Sequence, residues 1–472
     1  MLSQAALIQF SHIATTVRRV RASLDSARRR QVSRRRLTAA LLTLVVVGNA
    51  VVIVGLWIHG GNLHPRSTGD ALTGAGRLTG LLGAYLALIQ VILLARLPVV
   101  ERLVGFDRLT VWHRWNGHAC IDLVVAHVVL TVWGYALVDR IPLGSEISTM
   151  LGGGIYPGMI TATVGTGMLL AVVATSVVIA RRRLSYEWWY AVHLLAYGGI
   201  ALSWFHEIPT GNELVLNRLA ADYWRGLYLA TIFVLVLWRV LIPLAGALRY
   251  GLRVSEVTPE GPGVVSLRIT GRNVGRLRAN AGQFFLWRFI ARGAWGTAHP
   301  FSLSAAPDGS SLRITVKGLG DHTARLGRIR PGTRVLAEGP FGIFTDDVRR
   351  GDKAVMIAGG IGITPIRALM ETMRGDLIVL YRVVAEADVL FREELDALCA
   401  ASGAVVHYLI GDHLGAGRDL LAPAHLLELV PDIRERDVYL CGPPAMADFI
   451  RKNIREADVP RRQVHAERFA LI

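Results

Sequence analysis

The first half of the chain is dominated by long apolar stretches, whereas the second half consists of short alternating runs. A helix needs about 20 predominantly apolar residues to cross a bilayer. Six stretches of spanning length occur before residue 250, at 37–58, 78–95, 116–138, 159–180, 188–205 and 224–242. The pattern therefore predicts six transmembrane helices. The first stretch is too long for a cleavable signal, so we expect it to remain as a membrane helix.

The pattern changes at Leu252, where short strand-like runs separated by Gly and Pro turns begin. Farther along, strand-like runs alternate with helical ones, which is typical of a parallel α/β sheet. The strand-like runs are Arg253–Val257, Val264–Ile269, Gln283–Arg288 and Leu312–Val316, and then Ala354–Ala358, Leu377–Tyr381, Val405–Leu409 and Asp437–Leu440. The predicted fold is multidomain: a basic segment 1–36, a six-helix all-α transmembrane bundle 37–248, an antiparallel β-barrel domain 249–348 and a parallel α/β nucleotide-binding domain 349–472.

Composition and charge also indicate a membrane protein. Of the 472 residues, 52% are hydrophobic, the mean hydropathy is +0.40 and the net charge is +16. Much of the arginine stands beside apolar runs, as in Arg18–Arg36 and Arg181–Arg183. This placement favours a lipid surface over nucleic acid as the partner. The three widely spaced cysteines predict neither a disulfide framework nor a thiolate metal site.

The basic residues predict the orientation of the bundle. Arginine falls on one side of it, at Arg34–Arg36, Arg96, Arg102, Arg108, Arg181–Arg183, Arg239 and Arg249, whereas the loops 59–77, 139–158 and 206–223 carry no arginine run. Short loops rich in Lys and Arg stay in the cytoplasm. We therefore expect a multi-pass protein of the cell membrane with both termini and the whole C-terminal half in the cytoplasm.

Four histidines stand at paired depths in two of the predicted helices. His113 and His127 are fourteen positions apart on helix 3, and His193 and His206 are thirteen apart on helix 5. A lone intramembrane histidine usually caps a helix or bonds a neighbouring one. Two pairs, His113 with His193 and His127 with His206, instead suit two bis-imidazole haems. Thirteen residues turn the second ring away from the first, so we expect helix 5 to bend, tilt or tighten at Gly198–Gly199.

Two segments of the C-terminal half suit FAD. The first, His299-Pro300-Phe301-Ser302, follows a strand-like run, and a buried hydroxyl there can hydrogen-bond a flavin ring; taken alone, the segment would be an ordinary turn with a cap. The second runs from Lys317 to Thr323 and contains Gly320 and His322. Glycine permits close backbone approach there, and Lys317 and Thr323 can meet phosphate oxygens.

A third group of motifs suits a nicotinamide nucleotide. Gly359, Gly360, Gly362, Thr364 and Pro365 lie where a strand ends and a helix opens, and Cys441, Gly442 and Pro443 follow another strand. Backbone N–H groups at such a turn attract pyrophosphate, and ligands of parallel sheets sit at the carboxyl ends of the strands. Arg382 follows a strand where the adenosine ribose lies. It suits the 2′-phosphate of NADPH, although a solvated surface role is the alternative.

Together these motifs resemble the NADPH oxidase and ferric reductase superfamily, and the resemblance covers nearly all of residues 37–472. It implies two b-type haems in the membrane half and a ferredoxin-reductase-like module for FAD and NADPH. Carried over by position, it implies haem ligands at His113, His127, His193 and His206, FAD contacts at His299–Ser302, Lys317 and Thr323, and a nicotinamide site at Gly360–Pro365 and Cys441. Phe469 is similar to the terminal aromatic that covers the flavin, and Arg77 to an arginine near the outer haem.

The sequence departs from the family pattern at four places. Ser302 stands for Thr, His322 for Trp, three residues follow Phe469, and Thr131 replaces an outer-face histidine of the animal oxidases. The last departure bears on which molecule receives the electrons at the outer face.

The resemblance implies transfer of electrons from cytoplasmic NADPH through FAD and both haems to an outer acceptor, with oxygen favoured over a ferric chelate. Two alternatives stay open from the sequence. One is a membrane flavoprotein that reduces a quinone or a protein partner, and the other is a non-enzymatic haem sensor with a vestigial reductase half. The intact nucleotide motifs argue against the sensor.

Overall fold

The computed structural model describes residue 33 and residues 36–152, 154–177, 184, 186–291, 298–319, 321–411 and 420–468. Most of the predicted basic segment 1–36 and the cluster Arg181–Arg183 lie outside these residues. The chain forms two compact units. The first joins residues up to Leu94 with Thr110–Val234, and the second joins Ala95–Leu109 with Leu235–Ile472.

The N-terminal half is helical. Its helices are α1 (Arg36–His59), α2 (Thr68–Leu93), α3 (Pro98–Val104), α4 (Phe106–Asp139), α5 (Leu143–Gly152), α6 (Met159–Ser176), α7 (Tyr186–Thr210), α8 (Arg218–Val236) and α9 (Ile242–Tyr250), with a π-helical turn, Leu237–Leu241, between α8 and α9. Helix α2 begins where the hydroxyl of Ser67 accepts a hydrogen bond from the backbone N–H of Asp70, which satisfies one of the free donors of the first turn.

The first unit has a small core and a broad apolar surface. Trp224, Ile53 and Ala220 are almost fully buried where α1, α2 and α8 meet, whereas large apolar side chains such as Leu229 and Phe233 are exposed. An apolar exterior of this extent would be unfavourable in water and suits lipid. Among the described residues, five segments are long and apolar enough to cross a membrane: Arg36–His59, Thr68–Leu93, Arg108–Asp139, Met159–Ser176 and Arg218–Tyr250.

The predicted fifth span differs from this expectation. Residues 188–205 lie inside α7, which has 25 residues but is not among the five apolar spans. The reason is its composition, because Trp188, Trp189 and Tyr190, together with its histidines and Glu207, lower the mean hydropathy. Six helices of membrane-spanning length were predicted, and five reach the required apolarity within the described residues.

The second unit contains two antiparallel sheets. The strands are β1 (Arg253–Gly261), β2 (Val264–Thr270), β3 (Phe284–Phe289), β4 (His299–Ser302), β5 (Ser311–Lys317) and β6 (Val335–Phe341), and a short helix α10 (Asp321–Leu326) follows β5. They pair in the orders β1-β2-β5 and β4-β3-β6. The predicted antiparallel strands are present. They do not close into the expected barrel but form two three-stranded sheets around Trp287, Phe285 and Leu267.

The predicted parallel α/β sheet is present. Its strands β7 (Lys353–Gly359), β8 (Asp376–Val383), β9 (Val405–Ile410), β10 (Asp437–Gly442) and β11 (Val464–Arg468) alternate with helices α11 (Ile363–Thr372), α12 (Arg392–Ser402), α13 (Pro423–Leu429) and α14 (Pro444–Glu456). The strand order is β11-β10-β7-β8-β9, and every pairing is parallel. The order reverses between β7 and β10, which is where ligands bind in open parallel sheets.

The short helix α3 packs on the second unit's own sheet. Arg96 forms an ion pair with Glu338 of β6, and the buried Glu101 accepts a hydrogen bond from the backbone N–H of Gly342 at 3.1 Å. Phe106 meets Phe284 edge to face, with ring centroids 6.2 Å apart. The segment Ala95–Leu109, whose arginines predict a cytoplasmic position, is thus part of the same compact unit as the antiparallel sheets.

Candidate functional site

The four predicted histidine ligands come together as the two expected pairs. The ring centroids of His113 and His193 are 6.0 Å apart, and those of His127 and His206 are 6.2 Å apart. A metal–imidazole bond measures about 2.0 Å. Two such bonds, together with the distance from each ligating nitrogen to the centre of its ring, place the centroids of two opposed imidazole rings about 6 Å apart. Both pairs have the spacing that a bis-imidazole iron requires.

On helix α4, backbone carbonyl groups determine which nitrogen of each histidine ring carries the proton. Nδ1 of His113 lies 3.1 Å from the carbonyl oxygen of Gln90, and Nδ1 of His127 lies 2.8 Å from that of Gly76. A carbonyl can only accept, so each Nδ1 carries the proton and donates it. Nε2 is then left unprotonated on each ring, which is the form that binds a metal.

On helix α7 hydroxyl groups, which can donate or accept, stand at the corresponding ring nitrogens. The Thr210 hydroxyl lies 2.8 Å from Nδ1 of His206, and the Ser176 hydroxyl lies 3.4 Å from Nδ1 of His193. Each histidine therefore has a partner on the nitrogen that would face away from an iron. Sequence reasoning named the ligands but missed these partners, because only the fold brings Gln90, Gly76 and Ser176 to the rings.

Glycines let the helices approach the outer pair. A Cβ atom at Gly80 would lie 2.6 Å from Nδ1 of His127, and one at Gly76 would lie 2.5 Å from the hydroxyl oxygen of Thr131. A Cβ atom is not found this close to another heavy atom, so glycine fits at both places without a shift of the neighbouring side chain. These residues keep α2 near enough to α4 for the Gly76 carbonyl to reach the ring.

Helix α7 contacts α6 through another glycine pair. A Cβ atom at Gly199 would lie 2.9 Å from the carbonyl oxygen of Gly165, and one at Gly165 would lie 2.7 Å from the carbonyl oxygen of Gly199. The helix stays α-helical through Gly198 and Gly199. The contact between Gly199 and Gly165 therefore allows the two helices to pack closely, and the expected bend, tilt or tightening at Gly198–Gly199 stays a prediction.

Arg77 lies among polar groups of the first unit. Its guanidinium donates to the side-chain oxygen of Asn62 and to the hydroxyl of Tyr135, both at 3.4 Å. Tyr135 stands two helical turns beyond His127, and Thr131 lies between them, with its hydroxyl 3.4 Å from Nδ1 of His127. A second polar cluster was missed from the sequence: Glu207 accepts hydrogen bonds from Trp224 and Tyr228, which ties α7 to α8 beside His206.

The flavin motif contains a buried hydroxyl without a partner. Ser302 ends β4, is 4% exposed, and its hydroxyl has no hydrogen-bond partner among the described residues. A buried polar group without a partner costs about 1–3 kcal/mol, so such a hydroxyl fits a ligand with a polar ring edge. His299 and Phe301 stack with ring centroids 5.9 Å apart, and Pro300 lies between them in the strand.

The predicted phosphate-binding residues lie at the end of β5 and just after it. Nζ of Lys317 lies 3.6 Å from the carboxylate of Asp388, and the Thr323 hydroxyl accepts a hydrogen bond from the backbone N–H of Leu319 at 2.9 Å. Lys317 also borders a narrow cleft with Gly360 and Ile361, so predicted FAD and nucleotide residues meet there. Gly320 and Phe469 lie outside the described residues, and His322 is placed only as part of α10.

The two nucleotide turns fit against each other at the switch point of the sheet. A Cβ atom at Gly362 would lie 2.3 Å from the carbonyl oxygen of Cys441, and one at Gly359 would lie 2.4 Å from the sulfur of Met446. Gly360 adopts a φ of +52°, a conformation that side chains disfavour. The turn therefore needs all three glycines to leave backbone N–H groups at the start of α11.

The remaining residues of these turns lie at the same strand ends, where all are buried except the exposed Pro443 and the half-buried Arg382. Thr364 and Pro365 begin α11, and the hydroxyl of Thr364 donates to the carbonyl of Ile361 at 3.0 Å. Cys441 and Gly442 end β10, and Pro443 precedes α14. Arg382 stands in β8 opposite Gly359 and donates to the carbonyl oxygen of Leu409 at 3.2 Å. The structure thus brings the glycine turn, the Cys441 segment and Arg382 to neighbouring strand ends.

An ion-pair network that the sequence did not predict joins the antiparallel strands to the helices of the parallel sheet. Arg313 donates from both terminal nitrogens to Glu394 at 2.9 Å, and Nε of Arg367 lies 2.5 Å from the same carboxylate. Arg367 also donates to the carbonyl oxygen of Ser304, two residues after Ser302. Burial alone would raise the pKa of Glu394, but hydrogen bonds and charge from both arginines lower it.

Comparisons with known proteins match both halves of the chain. The family described as "Ferric reductase like transmembrane component" matches residues 79–204, and "Oxidoreductase NAD-binding domain" matches residues 356–452. The first match contains all of His113, His127 and His193, and the second contains the glycine turn, Arg382 and Cys441.

Individual relatives resemble the C-terminal half. The chain is 30% identical over 187 residues to "Ferredoxin--NADP reductase B" of Sorangium cellulosum, covering 36% of this chain and 77% of that protein. It is 29% identical over 181 residues to a "Flavohemoprotein" of Vibrio cholerae, covering 36% of this chain and 45% of that protein. Among solved structures, the FAD/NAD-binding domain of the Vibrio cholerae nitric oxide dioxygenase has a TM-score of 0.40 at 23% identity, over 46% of this chain and 98% of that one.

Proposed function

The chain belongs to the NADPH oxidase and ferric reductase superfamily, and we propose that it moves electrons from cytoplasmic NADPH to an acceptor across the membrane. This superfamily joins a ferric-reductase-like transmembrane component to a ferredoxin-reductase-like FAD/NAD module. It is an NAD(P)H-dependent oxidoreductase with apolar membrane helices. The finer proposal comprises two b-type haems, FAD, NADPH and an outer acceptor.

One observation carries this proposal: the two histidine pairs at 6.0 and 6.2 Å, with every Nδ1 already hydrogen-bonded. When bound, FAD would accept one hydride, which carries two electrons, and each haem iron would exchange single electrons. His113 with His193 would hold one haem, and His127 with His206 the other. The hydrogen bonds at Nδ1 orient the four rings, so each Nε2 would be available to an iron.

In the reductase module, the chain's own groups bind and orient the nucleotides. The Ser302 hydroxyl would bond the flavin ring, Lys317 and Thr323 would contact phosphate oxygens, and backbone N–H groups at Gly360–Gly362 would hold the pyrophosphate of the nicotinamide nucleotide. Arg382 would grip the 2′-phosphate, which favours NADPH over NADH. Cys441 lies beside the glycine turn, where the nicotinamide would sit, and Phe469 would cover the flavin ring.

For the acceptor we propose oxygen, reduced to superoxide, with a ferric chelate as the second candidate. Arg77 supports oxygen, since a cation near the outer histidine pair stabilises an anion that forms there. Its bonds to Asn62 and Tyr135 hold it inside the unit, unlike an arginine that extends freely to the membrane surface. Thr131 favours the chelate, because it supplies a hydroxyl where animal oxidases have an imidazole.

The experiment compares both acceptors with the same protein. Purified protein loaded with haem and FAD receives NADPH, and superoxide-dismutase-sensitive cytochrome c reduction is measured in air beside ferric chelate reduction under argon. We expect superoxide formation to be the faster reaction, and kcat/KM to be higher with NADPH than with NADH. Fast chelate reduction with negligible superoxide would contradict the oxidase proposal.

Two variants separate the role of Arg77 from general damage. Arg77→Ala should slow superoxide formation about 10-fold or more while NADPH still reduces the haems at the normal rate. Arg218→Ala removes an arginine at the start of α8 whose side chain is 95% exposed, and it should change neither rate. Equal effects of both substitutions would remove the argument for oxygen that rests on Arg77.

A further inference from the structure

Three arginines line one cavity at the end of the last apolar span. The cavity has a volume of about 480 Å³ and is lined by Arg249, Gly275, Arg276 and Arg278. No carboxylate stands among these lining residues. Three guanidinium groups facing one space repel each other unless an anion lies between them.

The turn that carries two of these arginines is fixed to the helix that carries the third. The backbone N–H of Arg272 donates to the carbonyl oxygen of Tyr250 at 2.7 Å, and its guanidinium donates to that of Leu248 at 2.9 Å. Asn273 and Arg278 both adopt left-handed backbone angles, with φ of 55° and 49°. These bonds and angles position Arg276 and Arg278 beside Arg249, so the cluster is part of the folded unit.

The described residues supply no carboxylate partner for this cluster. None of the three cavity arginines forms an ion pair with a carboxylate in the part of the chain that the structure describes. On the neighbouring turn, Asp308 already accepts hydrogen bonds from the backbone and hydroxyl groups of Ser310 and Ser311, at 2.6–2.8 Å. That carboxylate is therefore engaged locally.

We propose that this cavity binds the phosphate group of an anionic lipid headgroup. Arg249 lies in the last turn of α9, where the apolar span Arg218–Tyr250 ends, and we assign this end to the headgroup region. The basic residues place this end at the cytoplasmic leaflet, whose anionic lipids attract cationic segments. Guanidinium groups bind phosphate oxygens in pairs, so three of them can surround one phosphate. The inference rests on the proposed membrane insertion but not on haem binding or electron transfer.

The test uses the full-length protein, delipidated in a neutral detergent and loaded with FAD and haem. Native mass spectrometry measures the binding of phosphatidylglycerol and phosphatidylcholine, and inorganic phosphate is added in a separate arm. We expect phosphatidylglycerol to bind more tightly than phosphatidylcholine. The triple substitution Arg249→Gln, Arg276→Gln and Arg278→Gln should weaken the phosphatidylglycerol site about 100-fold, since each basic residue near an anionic headgroup contributes about a fivefold effect.

A matched control removes three other exposed arginines of the same unit, Arg328, Arg330 and Arg462, each by substitution with Gln. It should leave the lipid site unchanged. Equal lipid binding by both triple variants, or equal affinity for the two lipids, would overturn the proposal. Displacement of the lipid by millimolar inorganic phosphate would identify a free anion as the ligand and would overturn the lipid assignment. Flavin and haem spectra, recorded on the same samples, report separately on the proposed electron-transfer function.

Discussion

At the scale of single residues, the contacts of His127 illustrate why we propose it as a metal ligand. Its Nδ1 donates to the Gly76 carbonyl at 2.8 Å, and its ring centroid stands 6.2 Å from that of His206. A histidine that ligates a metal needs its other nitrogen occupied, because the bond fixes both tautomer and ring direction. The glycine at position 80 leaves room for the ring in this position.

Gly80→Ala tests this arrangement. Alanine is intrinsically better than glycine in a helix by roughly 1 kcal/mol, so propensity alone would favour the variant. Its Cβ would nevertheless lie 2.6 Å from Nδ1 of His127 and would displace the ring. We expect the haem content per chain to fall from two towards one, measured by pyridine haemochrome absorbance. The control is Gly226→Ala, where the new Cβ meets nothing within 4 Å. A full haem content in the Gly80 variant would contradict the assignment of His127.

We expect Glu146 to make the stability of the first unit depend on pH. The residue has no exposed surface, and burial, followed by the charge of Asp139, raises the pKa of Glu146 above its ordinary 4.5. When folding raises the pKa of a carboxyl group, the folded protein is most stable, as far as this group is concerned, below the ordinary pKa of 4.5. That stability is lost as the pH rises through the raised pKa of the folded state. Glu146→Gln should therefore raise the thermal midpoint at pH 8 and change it little at pH 4.

The thermal midpoint in detergent at several pH values is the measurement for Glu146. Glu393→Gln, at an exposed position, is the comparison and should leave the pH profile unaltered. A Glu146→Gln protein that is less stable than the parent at pH 8 would show that the carboxylate is needed in its charged form.

At the scale of structural elements, the Arg313–Glu394–Arg367 network joins β5 to α11 and α12. The side chains of Arg313 and Arg367 are 13% and 9% exposed. Among the described residues, removal of the Glu394 charge leaves Arg313 without a carboxylate partner and leaves Arg367 paired with Glu371 alone. Such a loss costs about 1–3 kcal/mol. Glu394→Gln should therefore lower the midpoint of unfolding of the reductase module, detected through release of flavin fluorescence on heating.

The pH dependence of this effect follows from the lowered pKa of Glu394. A lowered folded pKa gives stability that is present above the ordinary Glu value and is lost as pH falls through the lowered one. The difference between parent and Glu394→Gln should thus shrink on acidification. A constant difference from pH 8 to pH 3 would mean that the carboxylate charge does not stabilise the module.

The elements differ in how far the sequence could predict them. The histidine pairs were predictable because their spacing sets their depth, and the parallel sheet was predictable because strand and helix periods alternate clearly. Helix α7 was predicted as an apolar span, but its Trp and Tyr residues make it less apolar than the other five. The Glu394 network was not predictable, since Arg313 and Glu394 are 81 positions apart and nothing local relates them. Closure of the barrel depended on strand pairing that alternation alone does not specify.

At the scale of the whole molecule, the proposed reaction moves charge across the membrane. Transfer of one electron out of a negative interior is favoured by about 2.3 kcal/mol per 100 mV of membrane potential. Continuous turnover would therefore depolarise the membrane unless cations or protons follow. The orientation predicted from the arginines places NADPH oxidation in the cytoplasm and the pair His127 and His206 towards the outer face.

Transfer across a sealed bilayer is the most direct test of the central claim. Protein loaded with haem and FAD is reconstituted into vesicles that trap ferricyanide, and NADPH is added outside under argon, with a potassium ionophore to balance charge. The account predicts that trapped ferricyanide is reduced, that His127→Ala abolishes this reduction, and that His118→Ala at an exposed position does not. NADPH oxidation by an acceptor added outside, with the trapped ferricyanide left oxidised, would contradict it.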